Sequence, residues 1–124
     1  MALVYIVEDD INIREIESFS LKNSGYTVEE FEDTKKFWKR INEKMPDIIL
    51  MDVMMPVMNG LMATKQIRAM ERPDAASIPI FAMTANAFTE DIEKSREAGV
   101  NEHLSKPLDY GKLARMIYGY VKKK

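Results

Sequence analysis

The chain of 124 residues has no cysteine, so disulfide, thiol and cysteine-metal chemistry are excluded. Its one histidine, His103, leaves a histidine-built metal site without a second ring. Charge of neither sign dominates: 18 basic against 20 acidic residues give a net charge of −2, so neither nucleic acid nor an anionic membrane is an expected partner. No apolar run approaches the roughly 20 residues of a membrane span, and no signal-peptide pattern opens the chain. The cytoplasm is therefore the expected compartment. Glycine is scarce, and no glycine-rich phosphate loop follows the first apolar run; "EDDIN" stands there, and its acids would repel phosphate. That argues against a nucleotide- or flavin-binding module. Hydrophobic residues make up 46% and charged ones 31%, which suits one domain over residues 1–124.

Short apolar runs alternate with longer amphipathic ones. "LVYIV" (3–7) is continuous, apolar and β-branched, as in a buried strand. A helix follows to about Asn23, with Ile13, Ile16 and Phe19 on one apolar arc, Asp9 or Asp10 as its cap, and Gly25 at its end. "YTVEEF" (26–31) alternates like a half-exposed strand, and 34–44 form a helix with Phe37 and Ile41 four apart. "DIILM" (47–51) is a third strand, and after Gly60 a helix runs to about Met70 with Ala63, Ile67 and Met70 inward. "ERPDAAS" (71–77) reads as a loop and "IPIFAM" (78–83) as a strand. Thr89 to Ala98 is a helix with a thin apolar stripe, "VNEHL" (100–104) a short strand, and Leu108 to Val121 a last helix with Leu113, Ile117, Tyr120 and Val121 on one face. Strands alternating with helices imply an α/β fold: a doubly wound parallel sheet of five strands, for which the flavodoxin-like order 2-1-3-4-5 is natural.

In such a sheet, ligands sit outside the carboxyl ends of the strands. Strand one ends in Glu8-Asp9-Asp10, strand three in Asp52, strand four in Thr84-Ala85 and strand five in Ser105-Lys106-Pro107. Strands one and three are neighbours, so Glu8, Asp9 and Asp52 should crowd one pocket. Crowded carboxylates repel, and one should hold its proton more tightly unless a cation intervenes. A hard cation with oxygen ligands fits, Mg²⁺ best where one or two carboxylates bind it directly. Each residue alone has an ordinary use: Asp9 and Asp10 as helix caps, Asp52 as a turn residue before Pro56, Thr84 as a strand-end threonine, Lys106 at the surface, His103 as a half-buried strand residue. The four methionines between positions 51 and 58 read as packing, not as a soft-metal site. Four strand ends with mutually useful groups outweigh those separate uses. Together they describe phosphoryl transfer: a carboxylate can attack phosphorus, a cation and a lysine can share the charge of the phosphoryl oxygens, and a threonine hydroxyl can bond one of them.

The motifs "IVEDD", "DIILMDVMMPVMNG", "FAMTANA" and "HLSKPL", in this order and spacing, resemble the receiver domain of two-component response regulators over essentially the whole chain. The resemblance implies that Asp52 accepts a phosphoryl group from a phosphohistidine of a sensor histidine kinase or phosphotransfer protein. It implies Mg²⁺ held by Asp9, Asp52 and the backbone carbonyl of Met54, with Glu8 helping through water. Thr84, beside Ala85, would be the switch hydroxyl and Lys106 the phosphate-contacting lysine, with a cis bond before Pro107. The switch-aromatic position holds His103, where Tyr or Phe is commoner. Met54 and Asn86 would flank the path of the hydrolytic water, and the apolar Met54 implies slow self-dephosphorylation. The fourth helix (89–98), fifth strand and last helix would form the face for a homodimer or effector.

The first 50 residues resemble DNA-binding regulators, whereas "IPIFAMTANAF" and "NEHLSKPLD" resemble receivers attached to hybrid kinases. Two other functions compete. An aspartyl-phosphate phosphatase lacks its Asp-x-Asp pair here, because Met54 stands where the second acid belongs. A degenerate receiver used only for binding is disfavoured by the intact acidic residues. The expected activity is a signalling switch that assists only its own phosphorylation and dephosphorylation.

Overall fold

Strands buried on both faces need cover on both, and the alternation of this chain supplies it. The computed structural model describes residues 2–52, 60–84, 89–105 and 109–121. Along them run β1 (Leu3–Val7), α1 (Ile11–Asn23), β2 (Thr27–Phe31), α2 (Thr34–Glu43), β3 (Ile48–Asp52), α3 (Gly60–Arg68), α4 (Pro73–Ser77), β4 (Ile80–Thr84), α5 (Thr89–Ala98), β5 (Glu102–Ser105) and α6 (Tyr110–Val121). The strands form one parallel sheet in the order β2-β1-β3-β4-β5, as the alternation implied. β1, β3 and β4 are buried at every position, and β2, at an edge, is half-exposed.

The two-residue alternation of each strand divides the core. Tyr5, Val7, Ile49, Met51, Ile80 and Ala82 pack with Phe37 and Ile41 of α2 and Ala63 and Ile67 of α3. Val4, Ile6, Ile48, Leu50, Phe81 and Met83 pack on the other face with Leu21 of α1 and Leu113 and Ile117 of α6. Tyr120 and Val121 lie half-buried against that second cluster, and Met70, beyond the end of α3, against the first.

α1 is turned differently from the expected arc. Ile16 and Phe19 are 51% and 73% exposed, and Ile11 is exposed with them. The inward side carries Glu17, Ser18 and Leu21. With Arg14, whose side chain is only 13% exposed, these residues occupy positions i, i+3, i+4 and i+7 of one helical stripe. Two tertiary demands set that rotation: Leu21 enters the core, and Arg14 reaches the backbone at the end of β1. Hydrophobicity alone pointed to the opposite side.

Other differences lie at the base of β4 and β5. Residues 73–77, within the expected loop, form the single turn α4, which opens on a proline whose fixed φ suits a first helical turn. β4 begins at Ile80, not 78, because Pro79 has no N–H for the ladder. β5 begins at Glu102, because the Asn101 side chain accepts the Ile80 N–H at 2.8 Å in place of a strand carbonyl. Arg68 binds these pieces together. Its guanidinium donates to the carbonyls of Ala75, Ile78 and Gly99 and to Asn101 Oδ1, at 2.7–3.2 Å. Burial lowers its pKa, although a guanidinium stays charged there. Gly99 has φ +105°, and a Cβ on it would come within 2.8 Å of Arg68 Cγ, so the chain passes this arginine only as glycine.

The orientation of α1 has a measurable consequence. Leu21→Ala should cost about 3 kcal/mol of stability, as for a filled core position, and Phe19→Ala no more than about 0.5 kcal/mol. Urea unfolding of the two variants decides it; a larger loss at position 19 would restore the inward arc.

Candidate functional site

The register that pairs Val7 with Met51 makes Glu8 and Asp52 the next residues on two adjacent strands. Alternation sets both on the side of Ile6 and Leu50. Both are buried, at 0% and 2% exposure, while Asp9 is exposed. The chain turns at once after β1. Asp10 Oδ1 caps α1 by accepting the N–H groups of Asn12 and Ile13 at 2.9 and 3.1 Å. Of the two acids expected as caps, Asp10 takes that role and leaves Asp9 beside the pocket.

Hydrogen bonds at both its backbone and its side chain hold Glu8. Its N–H donates to the Phe31 carbonyl at 3.0 Å, its own carbonyl accepts from Arg14 Nη1 at 2.8 Å, and its Oε2 accepts the Asp10 N–H at 3.3 Å. One carboxylate oxygen from each of Glu8, Asp9 and Asp52 lies within 4.8 Å of the other two. Three acids so close, two of them buried, are costly as anions without a compensating cation. All the donors are hard oxygens with no nitrogen or sulfur among them, which suits Mg²⁺ and disfavours soft transition metals. The residues therefore fit the cation that the sequence implied.

α3 starts directly against this site. A Cβ on Gly60 would overlap the Asp52 carbonyl oxygen and come within 2.8 Å of Met51 Cγ. Only glycine lets the helix begin so close to the strand end. Thr84, 6% exposed, ends β4 one step beyond Met83, the register partner of Asp52. His103 is half-buried on β5 opposite Ala82, and Ser105 stands opposite Thr84. Alternation sets His103 and Thr84 on the side of Ala82, the face that α3 covers. Of the other residues singled out from sequence, Met54, Ala85, Asn86, Lys106 and Pro107 lie outside the described residues. Arg14 and Gly60 escaped the sequence reading. Gly60 did close the quoted Asn-Gly pair, but Arg14 looked like any surface arginine of an amphipathic helix.

A family model described as the response regulator receiver domain matches residues 4–118. The phosphate regulon transcriptional regulatory protein PhoB of Klebsiella pneumoniae is 32% identical over 122 residues, covering 97% of this chain and 52% of PhoB. Hybrid signal transduction histidine kinase M of Dictyostelium discoideum is 35% identical over 117 residues, covering 92% of this chain and 5% of the kinase. The chain thus spans about half the length of the first relative and a small part of the second. Among solved structures, the receiver domain of sensor histidine kinase PA1611 from Pseudomonas aeruginosa has a magnesium ion coordinated in its active site cleft. It superposes with a TM-score of 0.87 at 32% identity, over 98% of each chain. Chemotaxis protein CheY4 of Vibrio cholerae superposes with a TM-score of 0.89 at 29% identity, over 97% of this chain and 98% of that one.

If the three carboxylates repel one another in the metal-free protein, deleting one charge should stabilise it. Asp52→Asn and Asp9→Asn should each raise stability in EDTA by about 1 kcal/mol, the water-screened interaction of two charges near 5 Å. Thermal melts in EDTA measure this; a lower melting temperature in both variants would contradict the repulsion.

Proposed function

The chain belongs to the response regulator receiver domain family of two-component signalling, and from that premise we propose that it is a phosphorylatable switch with Asp52 as its phosphoacceptor. The observation that carries this reading is the meeting of Glu8, Asp9 and Asp52 at the carboxyl ends of β1 and β3, the usual ligand site of this sheet topology.

An Asp52 carboxylate oxygen attacks phosphorus of a phosphohistidine. The P–N bond breaks, the imidazole leaves with a proton, and an acyl phosphate remains on Asp52. Asp9 and Asp52, with Glu8 behind them, would hold a divalent cation, joined on the family resemblance by the Met54 carbonyl, and it would supply positive charge for the phosphoryl oxygens. Burial of Asp52 at the end of a rigid strand fixes the attacking oxygen, and the turn capped by Asp10 holds Asp9 at the mouth. Lys106 is assigned to the phosphoryl oxygens by the family motif "HLSKPL". Water attacking phosphorus later breaks the bond to Asp52, releases inorganic phosphate and regenerates the carboxylate; the family resemblance assigns Met54 and Asn86 to flank its path. On this reading the protein acts only on its own phosphoryl group.

Thr84 is assigned to read the phosphoryl group, with Ala85 beside it, and His103 to relay its position. Their shared side of the sheet supports the pairing. The output face is then α5, β5 and α6, which suits an effector or a second copy of the chain. The donor is a sensor histidine kinase or phosphotransfer protein. The apolar side chains that α1 leaves exposed, Ile11 directly after the acidic turn and Ile16 and Phe19 farther along the helix, support docking of such a partner near Asp52. Among the described residues, no helix is long and apolar enough to cross a membrane.

Intact-mass spectrometry after exposure to acetyl phosphate tests the acceptor. The parent should gain one phosphoryl group with Mg²⁺ and none in EDTA, and Asp52→Ala should gain none in either. An equal yield of acyl phosphate in Asp52→Ala would remove Asp52 from this role.

A further inference from the structure

The acidic site hangs from a turn, and one side chain fastens that turn from beneath. Glu8 lies one residue past the end of β1, beyond the β1–β3 register. Its N–H still pairs with the Phe31 carbonyl of β2, but its carbonyl is taken by the side chain of Arg14 at 2.8 Å. That carbonyl belongs to the peptide joining Glu8 to Asp9, so its orientation fixes the start of Asp9 as well. Arg14 is the first member of the buried stripe of α1, and its side chain is 13% exposed, unusual for an arginine on a sheet-covering helix. Its other partner is weaker: Nε lies 3.7 Å from Glu30 Oε1, a carboxylate 33% exposed on the edge strand. A cleft of about 260 Å³, lined by Arg14, Glu30, Phe31, Glu32 and Lys36, opens beside this pair and lets solvent screen it.

We propose that Arg14 is a positioning residue of the cation site, holding the Glu8–Asp9 peptide so that both carboxylates face Asp52. This rests on the reading of Glu8, Asp9 and Asp52 as that site. It makes a prediction opposite in sign to simple electrostatics. Removing a positive charge near an acidic pocket should tighten Mg²⁺ binding if charge were all that mattered. Removing a group that orients the ligands loosens it, and such partners are typically worth about tenfold or more in metal affinity. Lysine keeps the charge but offers a flexible point donor in place of a planar fork, so it separates the two effects.

The experiment is Mg²⁺ titration calorimetry on the parent, Arg14→Met, Arg14→Lys and Glu30→Gln at low and high salt, with hydrogen exchange at residues 8–13 in EDTA. Arg14→Met should weaken Mg²⁺ binding about tenfold at both salts, Arg14→Lys should fall between it and the parent, and Glu30→Gln should stay within about twofold, as for a screened pair. Amides of residues 8–13 should exchange faster in Arg14→Met without metal, which a purely electrostatic role would not cause. With the parent binding Mg²⁺ normally, unchanged or tighter binding in Arg14→Met overturns the positioning role and leaves the acceptor reading intact. If Arg14→Met does not fold, Arg14→Lys decides alone, and a Kd equal to the parent's overturns the proposal. A parent that binds no Mg²⁺, or binds it as tightly after Asp52→Asn, overturns the cation-site reading and this inference with it.

Discussion

Parallel pairing of β1 with β3 sets Val7 opposite Met51, and so brings Glu8 and Asp52 out of the sheet side by side. Both strands are buried at every position, so a slip of either by one residue would exchange the side chains that fill the two core clusters. The same hydrophobic burial that makes the sheet therefore forces acids into one place. Any repulsion among them would be a local cost, set against the much larger burial of the strands beneath.

The elements around that point are arranged to keep it. Asp10 stops the chain and starts α1, which frees Asp9 for the pocket. α1 is rotated so that Arg14 meets the Glu8 carbonyl and Leu21 meets the core, at the expense of leaving Ile16 and Phe19 in solvent. α3 begins on a glycine because nothing larger fits against the Asp52 carbonyl. At the opposite end of the sheet, Arg68 does for the β4 and β5 entrances what Arg14 does for the β1 exit: a half-buried guanidinium takes up free carbonyls.

The fold was legible in the sequence because its signal is periodic. Apolar runs such as "DIILM" and "IPIFAM" between amphipathic stretches admit few topologies, and the sheet order followed from them. The acidic trio was legible because each member stands where a strand ends. The face of α1 was not legible, since its buried stripe of Arg14, Glu17, Ser18 and Leu21 holds a single apolar residue. Nor were the exact starts of β4 and β5, where the Asn101 side chain stands in for a backbone acceptor, a substitution that hydropathy cannot register.

On our proposal, Glu8, Asp9 and Asp52 together hold one divalent cation. A crystal of the protein soaked in Mn²⁺, with an anomalous difference map, tests this most directly. One strong peak bounded by the carboxylate oxygens of Glu8, Asp9 and Asp52 is expected, lost in a crystal of Asp52→Asn. A map with no peak there, or a strong peak elsewhere on the protein alone, would contradict it.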